Sequence, residues 1–184
     1  MKYPILFAVS FAALGLTACG KNAEPAGDAS PSVAASDDLG LTPAASPGQM
    51  FANAAAASDT FEIETSKLAA TKAQSAKVKS FAAQMMKAHT GSTAKLNTAA
   101  ASASPAITPV ALLSATQQQQ VAALAATAGA EFDRAYAKAQ SEAHQATLDV
   151  LKSYSATGDV PSLKAFATGL VPTVTAHLNM AKAL

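Results

Sequence analysis

Residues 75–102 read SAKVKSFAAQMMKAHTGSTAKLNTAAAS, and this stretch carries a clear helical pattern. Apolar, small and histidine side chains recur in it every three or four residues, which is the spacing of one helix face. These positions are Val78, Phe81, Met85, His89, Ser92 and Leu96. Ser75 can cap the helix by accepting a hydrogen bond from a backbone N–H of the first turn. The pattern predicts an amphipathic helix of about seven turns with its histidine on the buried face.

Three other segments show the same spacing. The first long helix is expected over residues 46–73, because Ser46-Pro47-Gly48-Gln49 combines a capping serine, a proline in the first turn and a glutamine that can close a capping box. Two more are expected over residues 130–157 and from Pro161 onward. A shorter helix is expected before them, over residues 114–128, and Gly129 suits the cap at its end. Short turns within each pair and a longer connection between the pairs predict an all-α fold. It is a ferritin-like four-helix bundle of two helical hairpins, with a short extra helix in the connection.

The composition supports helices and excludes several function classes. Much of the hydrophobic half of the chain is alanine, the best helix former, and aromatic residues are only 5% of it. The formal net charge is +1 with both signs interspersed, so no nucleic-acid-binding face is predicted. No nucleophile elbow, phosphate-binding loop or Ser–His–Asp arrangement is recognisable, and we expect no catalytic residues. The sequence therefore favours a protein that is not an enzyme over an enzyme of unrecognised type.

The N-terminal residues have the pattern of an export signal. Lys2 precedes an apolar stretch, Pro4–Leu16, that is shorter than the ~20 residues of a membrane-spanning helix. The stretch ends Leu16-Thr17-Ala18-Cys19, which resembles the bacterial lipobox and contains the single cysteine of the chain. Residues 1–18 are therefore predicted to be a lipoprotein signal peptide. The alternative is a plain secretory signal with an incidental cysteine near its cleavage site.

Lipidation of Cys19 would attach the protein to a membrane. Gly20, rather than an aspartate, follows the cysteine, which favours an outer-membrane lipoprotein facing the periplasm of the bacterial cell envelope. Residues 19–45 are rich in Ala, Ser, Pro, Gly and Asp and predict a disordered tether. Residues 46–184 are the expected bundle domain. Its predicted partner is the membrane, through the lipid on Cys19, and the sequence identifies no protein partner.

Four polar residues are predicted to lie at one height of the bundle. Helix depth can be counted from the turns, because an α-helix rises about 1.5 Å per residue. His89 lies roughly 20 Å after the first turn, and the same count back into the first helix reaches Glu62. His144 lies roughly 20 Å before the last turn and His177 roughly 25 Å after it. The count pairs Glu62 with His89 and His144 with His177, and all four converge if the hairpins pack in register.

Such a cluster has the donor groups of a transition-metal site. Neutral imidazole suits zinc, copper, iron or nickel, and a carboxylate adds negative charge. Met85 and Met180 lie about one turn from His89 and His177, and their thioethers would favour Cu(I). The cofactor expected from this interpretation is a transition metal, and the ligands would be Glu62, His89, His144 and His177.

Asp133 and Tyr136, near the start of the third long helix, are candidates for contacts behind the ligands or toward a partner. The alternative for Asp133 is a favourable interaction with the helix dipole.

From sequence alone, a purely structural role of the same residues is favoured over a metal site. A histidine on an apolar face is usually hydrogen-bonded to a neighbour in the core. Glu62 could close a capping box with Asp59 if the first helix began later, and the methionines could be core residues. The Glu-x-x-His pattern of di-iron bundles is absent, because Met86 and Val174 stand three residues before His89 and His177. The sequence therefore argues against a ferroxidase.

Several short motifs together resemble the domain-of-unknown-function 4142 family of bacterial exported proteins. They are Glu62 with Leu68-Ala69 and Lys72-Ala73, Val78-Lys79-x-Phe81-Ala82 with Met86 and His89, Phe132-Asp133-x-x-Tyr136 with His144, and Leu163-x-x-Phe166-Ala167 with Pro172 and His177-Leu178. The resemblance implies a ferritin-like helical bundle in the envelope and no settled activity. One departure is Ala88, where the family often has an acidic residue.

Three hypotheses for function follow from the sequence. The leading one is a non-enzymatic envelope lipoprotein whose bundle serves in interaction or stress tolerance. The second is a metal-binding or metal-handling bundle that uses the cluster of three histidines and Glu62. The third is an enzyme of unrecognised type.

Overall fold

Five α-helices account for most of residues 45–184, the part of the chain that this computed structural model describes. They are α1 (Pro47–Lys72), α2 (Ala76–Ala101), α3 (Ala115–Ala125), α4 (Gly129–Thr157) and α5 (Pro161–Lys182). The predicted all-α fold with four long helices and one short helix is confirmed. The predicted signal peptide, Cys19 and nearly all of the predicted tether lie outside the described residues. Within residues 45–184, no helix combines the length and apolarity that crossing a membrane requires.

Serine side chains cap three of the helices at the predicted starts. Ser46 accepts from the N–H of Gln49 at 3.1 Å, and Ser75 accepts from the N–H of Val78 at 3.4 Å. Ser114 forms a complete capping box with Gln117. The capping box expected from Gln49 is wrong, because its amide group donates to Asn53 and to the Thr108 carbonyl. Gln49 therefore fastens the segment before α3 to α1 instead of closing its own helix end.

The hairpins pack side by side, α1 against α4 and α2 against α5, while α3 lies over α1 and α4. Small side chains allow α1 to pack closely against its neighbouring helices, and Ala52, Ala56 and Ala69 are buried there. Gly129 was expected to end the short helix; it instead begins α4 with a φ of +62°, a conformation that glycine adopts without strain. The short helix ends earlier, at Ala125.

Two apolar clusters fill the bundle, and a layer of polar residues lies where each long helix passes from one cluster to the other. The first cluster includes Phe51, Leu96, Leu148, Leu151 and Leu163. The second includes Phe61, Phe81, Met85, Phe132 and Tyr136. The polar layer consists of Asp59, Glu62, Thr65, Ser66, His89, Gln140, His144 and His177. Buried polar groups are costly unless they find partners, so the partners of this layer decide its role.

Candidate metal centre

Three histidines meet in the polar layer, one each from α2, α4 and α5. His89, His144 and His177 are all buried, and their ring centroids are 5.6, 5.8 and 5.5 Å apart. Each contributes a ring nitrogen to a group in which no two nitrogens are more than 4.8 Å apart. The ring centroids therefore form a nearly equilateral triangle, and we call the three residues the histidine triad.

Hydrogen bonds determine which nitrogen of two rings carries the proton. Nδ1 of His89 is 2.8 Å from Oδ1 of Asp59, and Nδ1 of His144 is 2.8 Å from the backbone carbonyl oxygen of Gln140. Carboxylate and carbonyl oxygens only accept, so both Nδ1 atoms donate and the lone pair of each neutral ring is on Nε2. Both Nε2 atoms, together with Nδ1 of His177, are buried without a hydrogen-bond partner among the described residues.

Asp59, which the sequence suggests only as a helix cap, holds His89 in place. Its side chain is buried, and Oδ2 accepts from the Thr93 hydroxyl at 3.0 Å. The expected pairing of Glu62 with His89 is wrong: the turn between α1 and α2 centres on Gln74, so equal counts in both directions join His89 to Asp59. The capping box from Asp59 to Glu62 is also wrong, because α1 runs unbroken from Pro47 through both residues.

Glu62 lies beside His144 instead. Its Oε1 atom is 3.5 Å from Nδ1 of His144, and neither carboxyl oxygen has a hydrogen-bond partner in the described part of the chain. Burial raises the pKa of Glu62 from 4.5 to about 7. The carboxyl group thus faces the Nδ1 side of His144, whereas the free nitrogen of that ring is Nε2.

The nitrogens of His144 and His177 are available as donors at neutral pH. Burial lowers the pKa of His144 from 6.5 to about 4. Burial also lowers the pKa of His177 from 6.5 to about 4. Both rings are neutral at pH 7, and a neutral imidazole keeps the lone pair that a metal ion requires.

Comparison with known proteins places this arrangement in a family. Residues 32–184 match the family described as "Domain of unknown function (DUF4142)". The chain belongs to this family. The resemblance drawn from the sequence motifs is thereby confirmed, and the match includes every helix of the DUF4142 bundle.

The DUF4142 bundle is also similar to a solved structure, described as CopM in the Cu(I)-bound form. The TM-score is 0.60 at 14% sequence identity, and the match covers 74% of this chain and 93% of the CopM chain. At this identity the similarity shows a shared helical fold. No curated protein matches the sequence.

The four other residues singled out from the sequence lie in different surroundings in the DUF4142 bundle. Met85 is fully buried in the second apolar cluster, whereas Met180 is 37% exposed. Asp133 accepts from the backbone N–H groups of Gln74 and Ser75 at 3.1 and 2.8 Å, which fastens the α1–α2 turn to α4.

Tyr136 is fully buried, and its hydroxyl lies 2.9 Å from that of Ser66. Burial raises the pKa of Tyr136, so its hydroxyl stays neutral. Tyr136 and Asp133 thus have hydrogen-bond partners outside the triad.

A small cavity borders the triad. It has a volume of about 40 Å³ and is lined by His89 and His177 but not by His144. Four hydroxyl side chains share its wall: Ser58, Ser92, Thr147 and Thr173. This volume is enough for at least one water-sized ligand, which needs roughly 10–15 Å³.

The stability of the metal-free DUF4142 chain is expected to fall as pH drops from about 6.5 to about 4. His144 and His177 titrate near 6.5 when unfolded and near 4 when folded, so the unfolded state binds more protons in this range. Glu62 acts in the opposite direction: its pKa is 4.5 unfolded and about 7 folded, so its contribution to stability is lost as pH rises through 7.

Urea unfolding between pH 4.5 and 7.5 measures these contributions. The Glu62→Gln variant should show a steeper increase of unfolding free energy with pH than the wild type. A His144→Gln/His177→Gln double variant should show the reverse slope, since only the Glu62 contribution remains. Equal slopes in all three proteins would contradict the assignment.

Proposed function

We propose that this chain is a transition-metal-binding bundle whose ligands are His89, His144 and His177. The observation that carries the proposal is the convergence of three buried imidazoles: each places a ring nitrogen within 4.8 Å of the others, and each has a buried ring nitrogen without a hydrogen-bond partner in the described part of the chain. Buried polar atoms in native proteins are rarely unpaired, and each unpaired group costs about 1–3 kcal/mol. The core-histidine interpretation would give each nitrogen its own partner. A bound ion satisfies all three donors at once.

The triad reaches the dimensions of a metal site if each histidine ring moves slightly inward. Three atoms no more than 4.8 Å apart lie within 4.8/√3, or about 2.8 Å, of a common point. A metal–nitrogen bond is about 2.0–2.1 Å long. Each ring therefore needs to move inward by less than about 1 Å. Small rotations of the imidazole side chains supply such a movement without a change in the helices.

The groups behind the ligands support the same proposal. Metal-binding histidines characteristically donate their other N–H to a carboxylate or carbonyl oxygen, which fixes the tautomer and the ring orientation. Asp59 and the Gln140 carbonyl do this for His89 and His144. Glu62, which the sequence suggests as a ligand, supports His144 from its Nδ1 side in this proposal, since its Oε1 atom lies 3.5 Å from that nitrogen.

Copper as Cu(I) is the ion that we propose. Imidazole suits copper, zinc, iron and nickel alike, so the donor type alone leaves four metals. A buried ion is costly unless its charge is balanced, and Asp59 supplies one carboxylate next to the triad. Burial raises the pKa of Glu62, the other carboxyl group of the layer, to about 7, so Glu62 is only partly ionised at neutral pH, and this suits an ion of low charge. The similar fold of CopM, solved with Cu(I), supports the same choice.

The proposed role is metal handling without catalysis. Combined with the export signal expected from residues 1–19, it gives a lipid-anchored metal-binding protein of the cell envelope. Between the hypotheses drawn from sequence, the geometry favours metal handling over an interaction or stress-tolerance role, because a bundle that acts only as a docking surface has no need of convergent imidazoles.

Metal titration of protein purified without an affinity tag tests the proposal. One equivalent of Cu(I), added anaerobically with a competing chelator, should bind per chain. It should also raise the melting temperature, because an ion that binds only the native state stabilises it by mass action. Zn(II) and Ni(II), added in parallel, should stabilise less. No bound equivalent of any of the three ions would overturn the proposed function.

A further inference from the structure

A groove between α2 and α5 leads to the small cavity beside the triad. Its wall includes Ala99 of α2 and Ser162 of α5. Phe166 and Leu170, both half-buried, line the groove as well as the cavity, so the two spaces adjoin at these side chains.

The cavity wall itself has small residues on both sides of this interface. Ala88 and Ser92 lie on α2 at the level of His89, and Thr173 lies one turn before His177 on α5. Thr173 is exposed, whereas Ala88 and Ser92 are partly exposed. The cavity thus reaches the surface of the protein beside two of the three proposed ligands.

Polar contacts hold the α2–α5 interface only near its ends. Among residues 45–184, the hydrogen bonds between these helices join Ser162 to the Ala99 carbonyl, and Lys77 to the Ala183 carbonyl beyond the end of α5. Between those ends no hydrogen bond of the described residues crosses the interface. This central part can therefore widen without breaking a polar contact.

The opposite interface is closed at the same height. Ser58 of α1 and Thr147 of α4 are joined by a hydrogen bond of 2.8 Å, and both line the cavity. Outside them lies a second groove that includes Ala146 and Glu142 and is flanked by Gln117 and Gln120 of α3. Glu142 would attract a cation to this side, but the path inward crosses the Ser58–Thr147 hydrogen bond.

We propose that the metal ion reaches and leaves the triad between α2 and α5, past Ala88, Ser92 and Thr173. This inference rests on the proposed function and adds the route to the site. The Ser92 and Thr173 hydroxyls offer oxygen atoms to an ion that is losing its water. The small side chain of Ala88, which lines the cavity, leaves the inlet open.

Two matched alanine-to-phenylalanine variants test the route. Ala88→Phe fills the inlet between α2 and α5, and Ala146→Phe adds the same bulk to the groove between α1 and α4. The probe is Cu(I) itself: uptake is followed by stopped flow, and release is followed as transfer to a bulky sulfonated chelator that cannot enter the cavity. We expect Ala88→Phe to slow uptake and release by a similar factor, roughly tenfold or more, and to leave the equilibrium affinity unchanged.

The outcomes separate this inference from the function on which it rests. Wild-type protein that binds none of Cu(I), Zn(II) and Ni(II) overturns both. Normal binding with unchanged rates in Ala88→Phe, or slower rates in Ala146→Phe, overturns the route alone. Thr173→Phe, on the exposed wall of the same inlet, should also slow the uptake and release of Cu(I). It replaces Ala88→Phe in the test if the metal-free Ala88→Phe protein has an abnormal melting temperature. A change in affinity that matches the change in one rate would indicate a damaged site and contradict the inference.

Discussion

Replacing any one histidine of the triad with glutamine is expected to lower the affinity for Cu(I) by roughly 10³-fold or more. Loss of a group that only orients a ligand typically costs 10–100-fold, and loss of the ligand itself should cost more. The three residues act on one ion, so their effects cannot be additive. A His89→Gln/His144→Gln double variant should bind only slightly more weakly than either single variant, since one loss already removes most of the binding.

Asp59→Asn is expected to lower the affinity for Cu(I) by an intermediate amount. Asparagine keeps an oxygen that accepts from Nδ1 of His89 but removes the negative charge, so we expect a loss of roughly 10–100-fold. Gln145→Ala, at an exposed position next to His144 on α4, is the matched control and should bind normally. Competition titration against a chelator of known affinity measures the wild type and all six variants. Small, additive and metal-independent effects on the melting temperature would instead support three separate core histidines.

Replacing Cys19 with alanine is expected to abolish incorporation of labelled fatty acid completely. Cys19 is the single cysteine of the chain, so no other thiol can take its place as the nucleophile. The protein should also move from the membrane fraction to the soluble periplasmic fraction. Metabolic labelling followed by fractionation measures both results.

Thr17→Ala is the control for this change, because it keeps a small residue at the same position of the lipobox pattern and should leave labelling intact. Label that persists in Cys19→Ala would show that the export signal is not a lipoprotein signal.

The helices were predictable because their signals are local. Ser46, Ser75 and Ser114 cap helices at the expected positions, and each cap depends on residues within one turn. The boundary near Gly129 was not predictable in the same way. Glycine with positive φ fits either the end of one helix or the start of the next, and the sequence does not distinguish these.

The meeting of the histidines followed from counting residues, but their partners did not. Counting along two helices is uncertain by about one turn, and Asp59 lies three residues from Glu62, so the count could not choose between these carboxyl groups. The Gln140 carbonyl is a backbone atom and leaves no signal in the residue type. Met180 lies three residues after His177 and is still exposed, because the narrow buried stripe of α5 continues through Leu178 and Ala181.

The triad takes one nitrogen from the first hairpin and two from the second, so a bound ion would restrict the motion of the hairpins relative to each other. The hairpins are joined by a connection that contains only the short helix α3, and their central contact between α2 and α5 lacks hydrogen bonds in the described residues. Without an ion, we expect the middle of the α2–α5 interface to open more readily than the α1–α4 interface, which the Ser58–Thr147 hydrogen bond fastens, and to show faster amide hydrogen exchange. An ion bound to His89, His144 and His177 is a cross-link between the hairpins, so its binding should slow exchange on both sides of the α2–α5 interface.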